Sequence, residues 1–376
     1  MKRLRTSAWR QCRRFLGKVR RITRWEFWPP WAAYIPLLPY LLYLAWKHRS
    51  LTLFTCANPG ITSGGFVGEC KSRILSMLPD VPAFTVISSS LPVGARFDAA
   101  NSFLALQDCS YPVVLKPDIG ERGRGVTIIR DEGKLRSCLR AASADMIIQK
   151  YVGGLEFGIF YYRHPTEPAG HILSITEKRF PQVIGDGSTN IGDLILQDQR
   201  AVCLERIYLS QLFRPNTDVP SEGEAVSLAE IGSHCRGAIF LDAGHLETPT
   251  LRAAVDAAAK CFEGFFFGRF DLRTSSVPGL QAGRFEILEL NGVTAEATHI
   301  YDPSVTLREA YRIMFRQWRI AFEIGAANRE AGFQPMGLRD LVRVIVTRRA
   351  DSVVCPTVVP AKNFVGSEYF AGKTGY

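Results

Sequence analysis

The chain has 376 residues, 47% hydrophobic and 22% charged, enough apolar material for more than one core; this excludes a disordered chain. The net charge of +10 is local: ten of the 46 Lys and Arg lie between Met1 and Arg24 with no acid among them, and the rest balance the 36 Asp and Glu. A cationic arm on a neutral body points to an anionic partner for the arm, a membrane surface or nucleic acid, and excludes a generally basic binding protein.

Within the arm, Leu4, Ala8, Cys12, Phe15, Val19 and Ile22 recur at steps of three and four. One apolar stripe opposite the basic residues is the pattern of an amphipathic helix lying in a membrane interface. A transit peptide or a nucleic-acid arm shares parts of it; the membrane reading is adopted, without nucleic acid as a partner. The segment from Phe27 to Trp46 is twenty residues without a charge, long enough to span a bilayer, but Pro29, Pro30, Pro36 and Pro39 interrupt it. Its Trp and Tyr residues stand where interfacial anchors would, so an interfacial or re-entrant segment is expected. The alternative is a subdomain packed on the protein's own body or on a dimer partner.

Leu51–Ala57 reads as a buried strand ended by the turn Asn58-Pro59-Gly60. The following GGFVGECKS places Lys71 after Cys70, so the Gly-Lys-Ser/Thr of a P-loop is missing. The loop remains a candidate substrate-facing position, with Glu69 or Lys71 as contacts. Strands are expected over 81–87, 111–116, 126–130, 145–152 and 156–163, with helices over 98–108, 132–142 and 306–329. Nine scattered cysteines, without a CxxC pair or neighbouring histidines, fit reduced cytosolic thiols better than a disulfide framework or a zinc site.

KPDIGERGRGV, residues 116–126, has its glycines at 120, 123 and 125, with strands on both sides. A dinucleotide loop has the order G-x-G-x-x-G and runs from strand into helix, so this is a hairpin tip. With exposed backbone N–H groups and Arg122 and Arg124, it suits a flap over a polyphosphate, with Lys116 as a fixed cation. Further on, GRFDLR puts Arg269, Asp271 and Arg273 on one face of a strand by period two, and RFEILELNG puts Glu289 and Asn291 on one face of the next. Asp, Glu and Asn oxygens side by side suit Mg2+ carrying nucleotide phosphates.

Taken together, Lys116-Pro117, the Gly/Arg hairpin, IIQKYVGGLEFG, GRFD and EILELNG resemble the ATP-grasp superfamily, nearest its carboxylate-amine ligases (D-alanine-D-alanine ligase, cyanophycin synthetase and the glutathione synthetases), over about residues 51–317. The resemblance implies an α/β (α+β) ATP-grasp fold: an N-terminal α/β substrate domain at 51–110, a lid subdomain at 111–160 and a C-terminal mixed-sheet catalytic subdomain at 161–332. The basic arm and apolar segment (1–50) precede these, and a tail (333–376) follows. It also implies that Lys116 and Lys178 contact phosphates, Gly123, Arg124 and Gly125 close over them, and Gln149, Lys150, Tyr151 and Val152 form the adenine hinge. Glu156 would bind the ribose, Asp271, Glu289 and Asn291 would hold Mg2+, as two ions or with Mn2+ in its place, and Arg269 would stabilise the tetrahedral intermediate. GDGST at 185–189 resembles an element of cyanophycin synthetase-like ligases.

Where the D-alanine ligases carry a PG-containing loop for the acceptor carboxylate, GVTAEATHIYDP stands here, which argues against D-alanine dipeptide formation. Glu296, Thr298, His299, His234 and Arg236 are the candidate substrate contacts. The expected activity joins a carboxylate to an amine through an acyl phosphate, releasing ADP and phosphate, on small-molecule or lipid-linked substrates. An ATP-using domain is cytosolic, and an arm that stays on the same side obeys the positive-inside tendency, so a peripheral position at the inner membrane face is expected. The oligomeric state is left open. A kinase on the same scaffold, or a membrane-tethered nucleotide-binding adaptor without turnover, are the rival readings.

Overall fold

The computed structural model describes residues 2–120 and 123–350; Arg122 and the tail from 351 onward lie outside the described residues. The N-terminal region consists of α1 (Lys2–Thr23), α2 (Pro30–Tyr34) and α3 (Leu38–Lys47), followed by α4 (Lys71–Leu75). Next come β1 (Phe84–Ile87), α5 (Val93–Leu106), β2 (Val113–Pro117), β3 (Thr127–Ile129), α6 (Glu132–Ala141) and β4 (Met146–Lys150). The remainder is β5 (Leu155–Tyr162), β6 (His171–Arg179), β7 (Gln182–Ile184), α7 (Ile191–Gln197), α8 (Glu205–Leu209), β8 (Ala225–Ser227), β9 (Ile239–Asp242), α9 (Pro249–Cys261), β10 (Phe267–Thr274), α10 (Val277–Gln281), β11 (Glu286–Asn291), α11 (Leu307–Glu330) and α12 (Leu338–Ala350).

These elements form a four-stranded sheet, β1-β4-β2-β3, a five-stranded sheet, β11-β10-β5-β6-β9, and the pair β7-β8. Every pairing is antiparallel. The small sheet is backed by α5 and α6, whose Phe97, Phe103, Leu135 and Leu139 pack on Val113, Leu115 and Ile148. In the large sheet, strand alternation sends Phe157, Ile159, Phe270 and Leu272 to one face, beneath α9. Phe160 and Phe267 go to the other face, beneath α11 and the N-terminal region. With both faces covered, β5 reads as a nearly unbroken apolar run.

Leu51–Ala57, expected as a strand, is instead a 3-10 turn over Leu53–Ala57. Leu53, Thr55, Cys56 and Ala57 are all buried, and a short run apolar on every side does not separate strand from helix by periodicity. α11 covers the turn. A Cβ on Gly325 would stand 2.5 Å from the Leu53 carbonyl oxygen, and Asn328 donates to the Cys56 carbonyl at 2.8 Å. Asn58, fully buried, then ties this turn to β10: it accepts from Phe266 and Phe267 N–H, both at 2.9 Å, and donates to Gly64 and Phe267 carbonyls at 3.0 and 2.7 Å.

The arm is helical, as its stripe predicts, but its basic side faces the protein. Arg10 forks onto Asp193 with both bonds at 2.7 Å, Arg14 pairs with Glu205 at 2.8 Å, and Arg13 donates to the Leu196 and Gln197 carbonyls at 2.6 and 2.5 Å. Part of the arm's anionic partner is therefore the protein's own surface. The apolar side is turned outward, with Phe15 64% and Ile22 72% exposed. The proline-broken segment folds as short helices against α11: Leu37 and Leu44 are buried, and Tyr40 meets Phe315 edge-on at 4.8 Å. No described helix is long and apolar enough to cross a membrane.

Candidate active site

Between the two sheets lies a cavity of about 880 Å³. Its floor is the charged half of the five-stranded sheet, where pairing register decides which side chains meet. Asp271 of β10 stands opposite Glu289 of β11, and Arg269 opposite Asn291. On the other flank of β10, Arg273 stands opposite Glu156 of β5, which in turn faces Lys178 of β6. Gly158 of β5 lies opposite Asp271, where a Cβ would stand 3.2 Å from the Arg269 side chain; its absence gives the guanidinium room.

The register slips by one residue after Asp271, so that Leu272 pairs with Ile287 and Leu288 is left without a partner strand residue. Its freed carbonyl accepts a hydrogen bond from Lys116 Nζ at 3.1 Å, and Gln149 Oε1 accepts a second at 2.8 Å. Among the described residues no carboxylate pairs with Lys116, and burial drives its pKa down to about 8. Such a cation is poised to take an anionic ligand.

The other charges on the sheet floor are paired. Arg269 forks onto Asp271 at 2.7 and 3.0 Å and donates a third bond to the Glu296 carbonyl at 3.1 Å. Lys178 lies 3.1 Å from both Asp271 and Glu156, and Arg273 closes the chain on Glu156 at 2.9 Å. Burial alone would raise the Asp271 pKa; Arg269 and Lys178 outweigh it and hold the group at about 2. Glu289 is also kept below the usual carboxylate range: burial opposes its ionisation, and Lys71, at 2.6 Å, more than compensates. Lys71 also donates to the Gly120 carbonyl at 2.7 Å, joining the floor to the hairpin.

Asp271, Glu289 and Asn291 all line the cavity. Among the described residues no three His, Cys, Asp or Glu side chains converge as a self-sufficient metal site. Two carboxylates and an amide are the donor set of a site that leaves further positions to phosphate oxygens and water, so these residues fit Mg2+ brought in with a nucleotide.

Val114, Ile128, Ile231 and Leu288 make an apolar slot beside the strand end Gln149, Lys150, Tyr151 and Val152, a setting for a flat heterocycle. Gly123 and Gly125 have φ of +68° and +74°, which only glycine adopts without strain. The hairpin rests on the 230–237 loop: Arg236 Nη1 donates to the Gly123 and Val126 carbonyls at 3.1 and 3.3 Å, and Arg130 pairs with Glu230 at 2.6 Å.

Two residues expected at the substrate end take other places. Arg236 is a support of the hairpin and is not among the cavity-lining residues. His299 is also off the cavity; its Nδ1 is buried without a hydrogen-bond partner and burial lowers its pKa. Thr298 lines the cavity and bonds the Thr176 hydroxyl at 3.1 Å. Glu69, which accepts from Gly292 N–H at 2.8 Å, His234 and Glu296 do line the cavity. Glu296 accepts hydrogen bonds from the Tyr34 and Tyr301 hydroxyls, both at 2.7 Å, and Tyr301 stacks on Trp25 at 5.3 Å and on His234 at 4.5 Å. Trp25, Tyr34 and Tyr301 were not read from sequence as site residues. Tyr34 comes from the segment that has no charge or motif to mark it as part of a site, and Trp25 lies just before it.

No protein-family model and no curated protein matches the chain. Among solved structures it is similar to a D-alanine-D-alanine ligase from Bacillus anthracis, with 17% identity over 69% of this chain and 66% of that one at a TM-score of 0.38. It is also similar to the D-cycloserine synthetase DcsG, with 13% identity, 78% and 82% coverage and a TM-score of 0.38. A third likeness is to a bifunctional glutathione synthetase from Pasteurella multocida, with 15% identity, 66% and 35% coverage and a TM-score of 0.35. The chain thus spans about a third of that synthetase and just under two thirds of the Bacillus ligase. At such identities the activity has to be argued from the site.

Proposed function

We propose that the protein is an ATP-dependent carboxylate-amine ligase of ATP-grasp type, working through an acyl phosphate. The observation that carries this reading is the pairing of Asp271 with Glu289 across β10 and β11, beneath the glycine hairpin and between the buried cations Lys116 and Lys178. Acids that can hold a hard cation, and cations that can hold phosphates, share one enclosed face.

Lys116 and Lys178 offset phosphate charge in a site shielded from water, where each is worth more than at a surface. Glu156 keeps a lone pair on Oε1, which accepts from Lys178, for a ribose hydroxyl, while Oε2 already accepts twice from Arg273. Asp271, Glu289 and Asn291 would hold Mg2+, which would supply charge neutralisation on the phosphate chain. A substrate carboxylate oxygen attacks the γ-phosphorus, the bond to the ADP oxygen breaks, and an acyl phosphate forms. An amine then attacks the acyl carbon, phosphate leaves with the former carboxylate oxygen, and the amine gives up a proton. Arg269 spends three of its five N–H donors on Asp271 and the Glu296 carbonyl, and the other two can meet the oxyanion. The hairpin excludes water that would hydrolyse the acyl phosphate.

The outward apolar face of α1, with Phe15 and Ile22, and the exposed Trp31, Leu42 and Trp46 support placing this end in the plane of a membrane surface at the cytosolic side. The decisive experiment follows 18O from a labelled carboxylate into inorganic phosphate while pools of acids and amines are screened for ADP release. Label in phosphate, dependent on both substrates and on Glu289, is expected. A stable phosphorylated product formed without amine would replace the ligase with a kinase.

A further inference from the structure

The cavity is larger and more apolar at one end than a nucleotide and its metal require. Past Arg269 and Glu296 the same sheet face changes from charged to apolar, with Phe160 and Phe267 buried beneath α11 and the N-terminal helices. The cavity follows that change. It continues from the Tyr34–Glu296 hydrogen bond between α3 and α11, walled by Phe54, Phe66, Trp318 and Ala45. Phe54 packs on Phe66 at 4.9 Å and edge-on against Trp318 at 5.9 Å, so the walls are rigid aromatics. It opens beside Trp31, Leu38 and Leu42, which line it and are 68%, 52% and 62% exposed. An apolar channel that begins at the reacting centre and ends among exposed apolar side chains is not needed for ATP.

We propose that one of the two substrates is an amphiphile whose reacting head group meets Arg269 and Glu296 while its long alkyl chain lies in this channel and leaves through the mouth at Trp31, Leu38 and Leu42. This rests on the ligase reading and specifies its substrate class. The mouth lies on the N-terminal helices, and α1 of the same region also exposes Phe15 and Ile22, so a lipid surface held by this region would let a chain pass into the site. The N-terminal region is then part of the substrate site as well as a support for the protein.

Binding is measured on the full chain without ATP by quenching of tryptophan fluorescence, since four of the six tryptophans (Trp25, Trp28, Trp31 and Trp318) line the cavity. The probes are bromine-tagged alkyl carboxylates in one arm and alkyl amines in the other, from about six to about sixteen carbons; affinity is expected to rise by about fourfold per methylene until the channel is full. The arm that responds identifies the chain-bearing substrate. Ala45→Phe, inside the channel, is expected to move the plateau to shorter chains. Leu42→Glu, at an exposed position that folding tolerates, is expected to weaken the longest probe by about tenfold or more, at a cost typical of a buried charge. Thermal midpoints report whether each variant folds. Affinity independent of chain length in both arms overturns the proposal, as does an unchanged chain-length profile in Leu42→Glu, which would mean adsorption to the surface. ADP release from short soluble acid and amine pairs with no chain effect removes the chain and leaves the ligase. Chain binding with no acid- and amine-dependent ADP release removes the ligase and leaves the channel.

Discussion

Replacing Arg236 with methionine keeps the aliphatic stem but removes two of the hydrogen bonds that hold the hairpin to the 230–237 loop, at 3.1 Å to Gly123 and 3.3 Å to Val126. At about 1 kcal/mol net for each, the closed arrangement loses about 2 kcal/mol, or about 30-fold in the closed-to-open ratio. KM for ATP should rise by up to about that factor. The acyl phosphate should also be lost to water, so that ADP is released in excess of ligated product. The assay is paired quantification of ADP and product over a range of ATP concentrations. Arg236 also donates from Nε to Gln211 at 3.1 Å, so Gln211→Leu serves as the control that loses this bond and keeps the hairpin contacts. An Arg236→Met enzyme with wild-type KM for ATP and one ADP per product would show that these bonds do not govern closure.

Asp271→Asn leaves Arg269 and Lys178 without the carboxylate they share; about 3–5 kcal/mol of stability should be lost, seen as a lower urea midpoint, together with ADP release. An unchanged midpoint would contradict the pairing described here. Tyr34→Phe removes one of the two hydroxyls on Glu296, about 1 kcal/mol; KM for the chain-bearing substrate should rise several-fold, and an effect on KM for ATP alone would move Tyr34 to the wrong end of the cavity. Lys116, at about 8 in the fold against about 10.4 unfolded, binds its proton less tightly when folded. Its cost is therefore fully present below about pH 8 and fades as pH rises toward 10.4. Stability against urea should rise over that window relative to Lys116→Met, and parallel curves for the two proteins would refute the shift.

Period-two alternation alone placed Arg269, Asp271 and Arg273 on one strand face and Glu289 and Asn291 on the next, because side-chain direction in a strand is a local property of the backbone. The hairpin nature of residues 116–126 and the amphipathic helix at the N-terminus were legible for the same reason. Leu51–Ala57 was misread because a short buried apolar run has no period, and only its packing under α11 shows which conformation it takes. Lys71 shows the converse: it lacks a P-loop context, yet the fold carries it to Glu289, 218 residues away in sequence.

What remained unreadable involves contacts between segments far apart in the chain. Composition marked residues 27–46 as apolar and aromatic, but not that Tyr34 would reach Glu296, 262 residues further on, or that Trp25 just before them would stack on Tyr301. The docking of the arm's basic side on the protein was equally hidden, since it depends on Asp193 and Glu205 being positioned to receive Arg10 and Arg14. Local patterning follows from the short-range geometry of the backbone. Which faces meet, and hence where the cavity runs and what it can hold, is set by long-range packing that no local period records.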